Sequence, residues 1–221
     1  MPLAAKPLLG TRGQPKQSRT AILQAAVREF AQEGVAGART DAIARSAGVN
    51  KALLYYYFKD KETLYCAVLD QVFSGLHAAI HKALAKRQPP REKLASYVYA
   101  HFDYIASNPL YPRIVQAEMM RARVSDPSRM KRIAQQYFRP VFLELSALLR
   151  EGTHAGEFRK VEPFHFIPAM ISVIVFHFNT APIMKFMTGK DPSSPQLMAG
   201  RREAVLEFIS AALFASPKER E

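Results

Sequence analysis

Apolar side chains recur at i, i+3, i+4 and i+7 along most of this chain, and breaker clusters cut the pattern into helix-length pieces. The breakers are Gly34 and Gly37, Ala47-Gly48-Val49, Pro89-Pro90, Asn108-Pro109, Ser125-Asp126-Pro127, Gly152 and Gly156, Glu162-Pro163, and the run from Asp191 to Pro195. Segments with period two are few and only 10 of 221 residues are glycine, so the spacing predicts an all-α fold of about nine helices. A single cysteine, Cys66, leaves no internal disulfide framework and no cysteine-rich zinc site, which points to a reducing, cytoplasmic setting. The opening MPLAAKPLLGTRGQPKQSR lacks the continuous apolar run of a secretory signal and reads as a flexible basic arm over residues 1–16. The most apolar stretch, Ile167 to Phe176, is ten residues long. A membrane span needs about 20, so a buried helix and no membrane partner are expected.

Three short helices are expected in the first sixty residues. Ser18 can cap the first and Gly34 can end it, with Leu23, Ala26, Val27 and Phe30 on its apolar face. Thr40 reads as the next N-cap, opening a helix that turns Ile43, Ala44 and Ala47 inward before Gly48 breaks it. Asn50 can cap a third helix running to Tyr56 or Tyr57. Two helices of under ten residues joined through one glycine form a helix-turn-helix pattern. At 100° per residue the third helix places Leu53, Leu54 and Tyr57 on one face and Lys51, Ala52, Tyr55 and Tyr56 on the other. A small, cationic, phenolic face suits a DNA major groove. Lysine can meet guanine acceptors or a phosphate, alanine permits close approach, and tyrosine hydroxyls can donate to phosphates. Asp60 can cap a fourth helix, setting Lys61 in its first turn beside free amides that attract an anion. Taken alone, the Tyr-Tyr-Tyr-Phe run equally suits a partly buried helix end, and Lys61 a solvated lysine.

Charge points the same way. The formal net charge is +12, and residues 1–60 hold nine Lys and Arg against four Asp and Glu. A positive surface suits DNA, RNA or anionic lipid alike; the helix-turn-helix pattern selects duplex DNA.

From Ser18 to Leu69 the chain joins a capped helix ending in F-A-x-x-G, a Thr before the second helix, A-G-V at the turn, L-Y-Y-Y-F in the third helix and D-K-E opening the next. This ordered set resembles the N-terminal DNA-binding domain of TetR/AcrR-type transcriptional regulators. The resemblance implies a helix-turn-helix DNA-binding domain over residues 17–63 and a helical bundle over 64–221 that binds a small-molecule effector and pairs with a second copy. It implies that Thr40 and the start of the second helix hold phosphates. Asn50, Lys51, Ala52 and Tyr56 would face bases or their sugars, Tyr55 and Tyr57 would lie at or beside the backbone, and Lys61 would anchor a phosphate. Two positions depart from the family pattern: Ala52 stands where glycine is frequent, and Leu53 where a small Thr or Ser is common.

Beyond Lys61 a helix to about Lys86 carries Leu64, Val68, Val72 and Leu76 on one side. Helices near 91–107, 110–122, 127–151, 163–187 and 196–215 complete a bundle, with Pro140, Pro168 and Pro182 expected to kink theirs. Phe102, Tyr104, Met119, Met120, Tyr137, Phe138, Phe142, Met170 and Phe178 recur on the expected inward faces, as plain core or as the lining of an effector pocket. His101, His154, His165 and His177 lack ligand spacing, and neither a metal nor a cofactor is implied. By resemblance the last two helices form a homodimer interface, with Val205, Phe208, Ile209, Ala212 and Leu213 as a contact face, although the same apolarity fits an internal core. No Gly-rich phosphate loop, nucleophile elbow or HExxH motif occurs, which argues against an enzyme. A charge-driven binder without sequence preference is the remaining alternative. The reading that unites these features is a ligand-responsive repressor that binds a palindromic operator as a homodimer.

Overall fold

The computed structural model describes residues 15–122 and 127–215. Most of the expected basic arm, including Lys6 and Arg12, lies outside them, while Lys16 and Arg19 belong to the first helix. Ten α-helical segments occur among the described residues: α1 Pro15–Gly37, α2 Thr40–Ser46, α3 Lys51–Tyr57, α4 Lys61–Leu84, α5 Pro90–Ser107, α6 Tyr111–Ala122, α7 Ser128–Ile133, α8 Arg139–His154, α9 Pro163–Thr188 and α10 Pro195–Leu213. Extended pairing among these residues amounts to one isolated bridge between Phe158 and Phe214. The fold is all-α.

The chain forms two compact units. One comprises Met1–Val72 with Arg113–Val124, the other Phe73–Pro112 with Ser125–Glu221, so α4 and α6 each contribute to both. In the first unit α1 buries Leu23, Ala26, Val27 and Phe30, as their spacing predicts, together with Ile22. Ile43 and Ala44 of α2, Leu54 of α3, Phe58, and Leu64, Tyr65 and Val68 of α4 are also buried, and Phe30 meets Tyr65 edge to face at 5.0 Å. In the second unit a continuous core joins Leu94, Tyr97, Val98 and Phe102 of α5 to Leu145, Leu148 and Leu149 of α8, Ile167, Met170 and Ile174 of α9, and Val205, Ile209 and Leu213 of α10.

Several boundaries differ from the sequence reading for local reasons. α1 begins at Pro15, a favoured first-turn position, so Ser18 lies within it rather than capping it. Gly34 does mark the expected break, with φ of 65° inside α1. Arg39, not Thr40, occupies the N-cap position of α2, and its side chain makes no capping bond. The single helix expected over 127–151 resolves into α7 and α8 joined by a π-helical turn, Ala134–Phe138. Pro140 lies two residues beyond that turn, in the first turn of α8. It has no N–H to offer the Gln136 carbonyl and its ring crowds it, so a widened turn relieves the clash without ending the helix. α9 stays helical through both Pro168 and Pro182.

Candidate nucleic-acid interface

The helix-turn-helix is set by two side-chain caps and one glycine. Gly48 has φ of 68°, the left-handed region that lets the chain reverse after α2, and the Val49 amide donates back to the Ala44 carbonyl at 3.0 Å. Asn50 Oδ1 accepts from the Leu53 amide at 2.8 Å, capping α3, and Asp60 Oδ1 accepts from the Thr63 amide at 2.7 Å, capping α4. That backbone bond holds the Asp60 carboxyl below its ordinary value.

Between these caps α3 divides as the helical wheel predicts. Leu54 is buried and Leu53 and Tyr57 are partly so, while Lys51, Ala52 and Tyr55 are exposed and Tyr56 is 80% exposed. Two contacts tie this outward face to the first turn of α2. The Thr40 and Tyr55 hydroxyls lie 3.2 Å apart, and Lys51 Nζ sits 2.7 Å from Asp41 Oδ1. The hydrogen bond from Lys51 draws the Asp41 carboxyl down and raises the Lys51 ammonium in return. Lys51 also approaches the Tyr55 ring, 6.0 Å from its centroid, and Tyr56 meets Tyr57 edge to face.

Lys61 is more engaged than its sequence position suggests. Its ammonium donates to the Ala36 carbonyl at 3.2 Å and the Ala38 carbonyl at 3.1 Å, closing the carboxyl end of α1 against the start of α4. An ammonium carries three N–H donors, so one is left for a phosphate. Asp41 and the exposed Arg39 and Arg45 beside it were absent from the sequence-based site. The signal was present in the i, i+4 spacing of Asp41 and Arg45 on one short helix.

In the second unit the structure gathers some of the aromatic stripe and disperses the rest. Phe102 and Phe178 meet at 5.1 Å, and Phe142 and Phe178 pack against the core cluster that contains Met170. Tyr137 and Phe138 instead flank Phe73 at 6.0 and 5.3 Å. Tyr104 pairs with Tyr111 at 5.9 Å and presses its hydroxyl against Gly75, where an added Cβ would collide with it. Met119 and Met120 do not face inward. They lie on the part of α6 that belongs to the first unit and are 48% and 60% exposed, because α6 buries Ile114 and Glu118 and the next two positions rotate away. Among the described residues no cluster of three His, Cys, Asp or Glu could hold a metal.

The expected dimer face is corrected as well. Val205, Ile209 and Leu213 belong to the unit's own core, Ala212 is half-buried, and Phe208 alone of the five projects outward, 62% exposed. Phe176, Ile183, Phe186 and Met187 of α9 are also exposed, Phe186 by 90%. Helix α9 is long and apolar enough to cross a membrane, as is α4, yet only 17% of its most apolar window is buried within the chain. The ten-residue stretch seen in the sequence underestimates it, because the helix extends on either side and is mostly not buried.

Residues 22–68 match the model of the bacterial regulatory proteins of the tetR family, and residues 90–209 match the tetracyclin repressor-like C-terminal domain. The chain belongs to the TetR family. Over 171 residues it is 30% identical to the HTH-type transcriptional regulator RutR of Escherichia coli strain K12, covering 77% of this chain and 78% of RutR. It is 32% identical over 105 residues to the HTH-type transcriptional repressor NicS of Pseudomonas putida, covering 48% of this chain and 50% of NicS. The fold is shared with the ketosteroid transcriptional regulator KstR2 of Mycobacterium tuberculosis, with a TM-score of 0.73 at 19% identity over 90% of this chain and 95% of that one. The protein is a DNA-binding transcriptional regulator of this family and not an enzyme.

Proposed function

We propose that this TetR-family protein is a repressor that binds a palindromic operator as a homodimer in the cytoplasm, where the chromosome lies, and leaves it when a small molecule enters the second unit. The observation that carries the DNA reading is the outward face of α3, where Lys51, Ala52, Tyr55 and Tyr56 stand clear of the core on a helix capped at a glycine turn. Lys51 and Ala52 suit base edges, with Asn50 at the helix start. Tyr56 suits bases or their sugars, Tyr55, Tyr57 and Thr40 offer hydroxyls to the phosphate backbone, and the remaining N–H of Lys61 suits a phosphate. That NicS is a transcriptional repressor supports the repressor reading.

Pairing rests on α9. An apolar helix left largely unburied needs a partner, and Phe176, Ile183, Phe186 and Met187 together with Phe208 of α10 offer a face for a second copy. The effector would be largely apolar, held near Phe102, Phe142, Met170 and Phe178 or near Tyr104, Tyr137 and Phe138. It would act through α4, whose residues belong to both units, by shifting two recognition helices from a spacing of about 34–36 Å. The test is a salt series on the full chain with duplex DNA. Lys51→Ala changes which sequences are preferred, whereas Lys61→Ala weakens binding to every duplex and shallows the logarithmic salt slope by about one. Unchanged preference and slope in both variants would refute the assignment.

A further inference from the structure

Within residues 39–59 Asp41 is the only acid among Arg39, Arg45, Lys51 and Lys59. A carboxylate in the middle of a surface built for a polyanion is unfavourable unless it does something there. Its Oδ1 lies 2.7 Å from Lys51 Nζ, and both side chains are about half exposed, so the pair stands on the same outward surface as Tyr55 and Tyr56. The adjacent Thr40–Tyr55 contact holds α2 and α3 in that relation. Lys51 is therefore held in the free protein rather than sweeping solvent, with two N–H donors still available, and Asp41 keeps Oδ2 as an acceptor.

We propose that Asp41 is a specificity-determining residue that, paired with Lys51, reads one G·C base pair. This rests on the reading that α3 enters the major groove. There guanine offers O6 and N7 as acceptors and cytosine the N4 amine as a donor, side by side, so the lysine meets the guanine and the carboxylate meets the cytosine. Against any other sequence the carboxylate repels nearby phosphates and retains the ammonium, so non-cognate DNA must break the pair before gaining a contact. Asp41 also stands in the first turn of α2, where an acid favours the helix dipole, but that role predicts an effect on stability and none on base preference.

The experiment uses the full chain. A preferred duplex is first selected from random sequences, and affinities are then measured at one salt concentration for wild type, Asp41→Asn, Lys51→Met and the double variant. The duplexes are the preferred one, versions with each symmetric G·C pair changed to A·T, and a scrambled control. Asp41→Asn is expected to bind the scrambled duplex tighter by up to about fivefold, the cost of parting an exposed ion pair. It should also lose about fivefold or more of the discrimination at one symmetric G·C position. In the Lys51→Met background, where no ammonium positions the carboxylate, the same substitution should leave discrimination at that position unchanged and alter affinity by one factor common to all the duplexes. Discrimination that survives Asp41→Asn intact, or a loss that is the same without Lys51, overturns the inference while leaving DNA recognition by α3 in place. A wild-type chain that selects no sequence overturns both.

Discussion

Gly48 shows how much a single residue decides. Its positive φ turns α2 into α3, and a Cβ built there meets nothing within 4 Å, so the cost of a side chain is confined to the backbone. Gly48→Ala should destabilise the first unit by about 1–2 kcal/mol, read as a lower midpoint in thermal or urea unfolding. A variant as stable as wild type would contradict the assigned turn. This glycine was legible in the sequence because only one residue type tolerates that conformation cheaply. The Asn50 and Asp60 caps were legible for the same kind of reason, whereas Thr40 misled because α2 starts one residue earlier than its capping chemistry suggests, with Arg39 at the N-cap position and no side-chain cap.

His101 makes the stability of the second unit depend on pH. It is buried and lies 3.1 Å from the Tyr97 hydroxyl, and burial lowers its pKa from 6.5 to about 4. The unfolded chain therefore takes up a proton near pH 6.5 that the folded chain refuses until about pH 4. Stability from this group is complete above pH 6.5, is lost as the pH falls through that window, and levels off below about pH 4, with a total of roughly 3 kcal/mol. Denaturation midpoints measured across the window should show this slope, and His101→Gln should flatten it.

At the scale of elements, helical periodicity located the segments except for the break between α7 and α8 inside the helix expected over 127–151, and the directions of side chains were lost where they depend on more than one helix. The division of α3 into Leu53, Leu54 and Tyr57 against Lys51, Ala52, Tyr55 and Tyr56 follows from a 100° rotation alone, so it could be read directly. The direction of Met119 and Met120 could not, because α6 buries a polar Glu118 beside Ile114 and apolarity no longer marks the inner face. Replacing both methionines by Gln should change stability by no more than about 0.5 kcal/mol. Helix α9 is apolar on every side, so its sequence alone does not separate core from interface. Phe176→Asp with Phe186→Asp should convert a dimer to a monomer in size-exclusion chromatography with light scattering, while helix content by circular dichroism is retained. A wild-type chain that is monomeric at micromolar concentration, or that binds lipid vesicles through this face, would count against the proposed pairing.

For the whole molecule, the +12 charge is a poor guide by itself, since it is spread over both units and two of the cations near α3, Lys51 and Lys61, already face an acid or carbonyls. What matters is which cations stand on a groove-sized face and how two such faces are spaced. The proposed function turns on two copies of α3 entering successive major grooves. The direct measurement is selection of binding sites from random duplex DNA by the purified chain at physiological salt. The expected result is enrichment of an inverted repeat whose half-site centres lie about one helical turn, or about 10–10.5 base pairs, apart or a multiple of it. Enrichment of no sequence, or of an isolated half-site without its inverted mate, would contradict it.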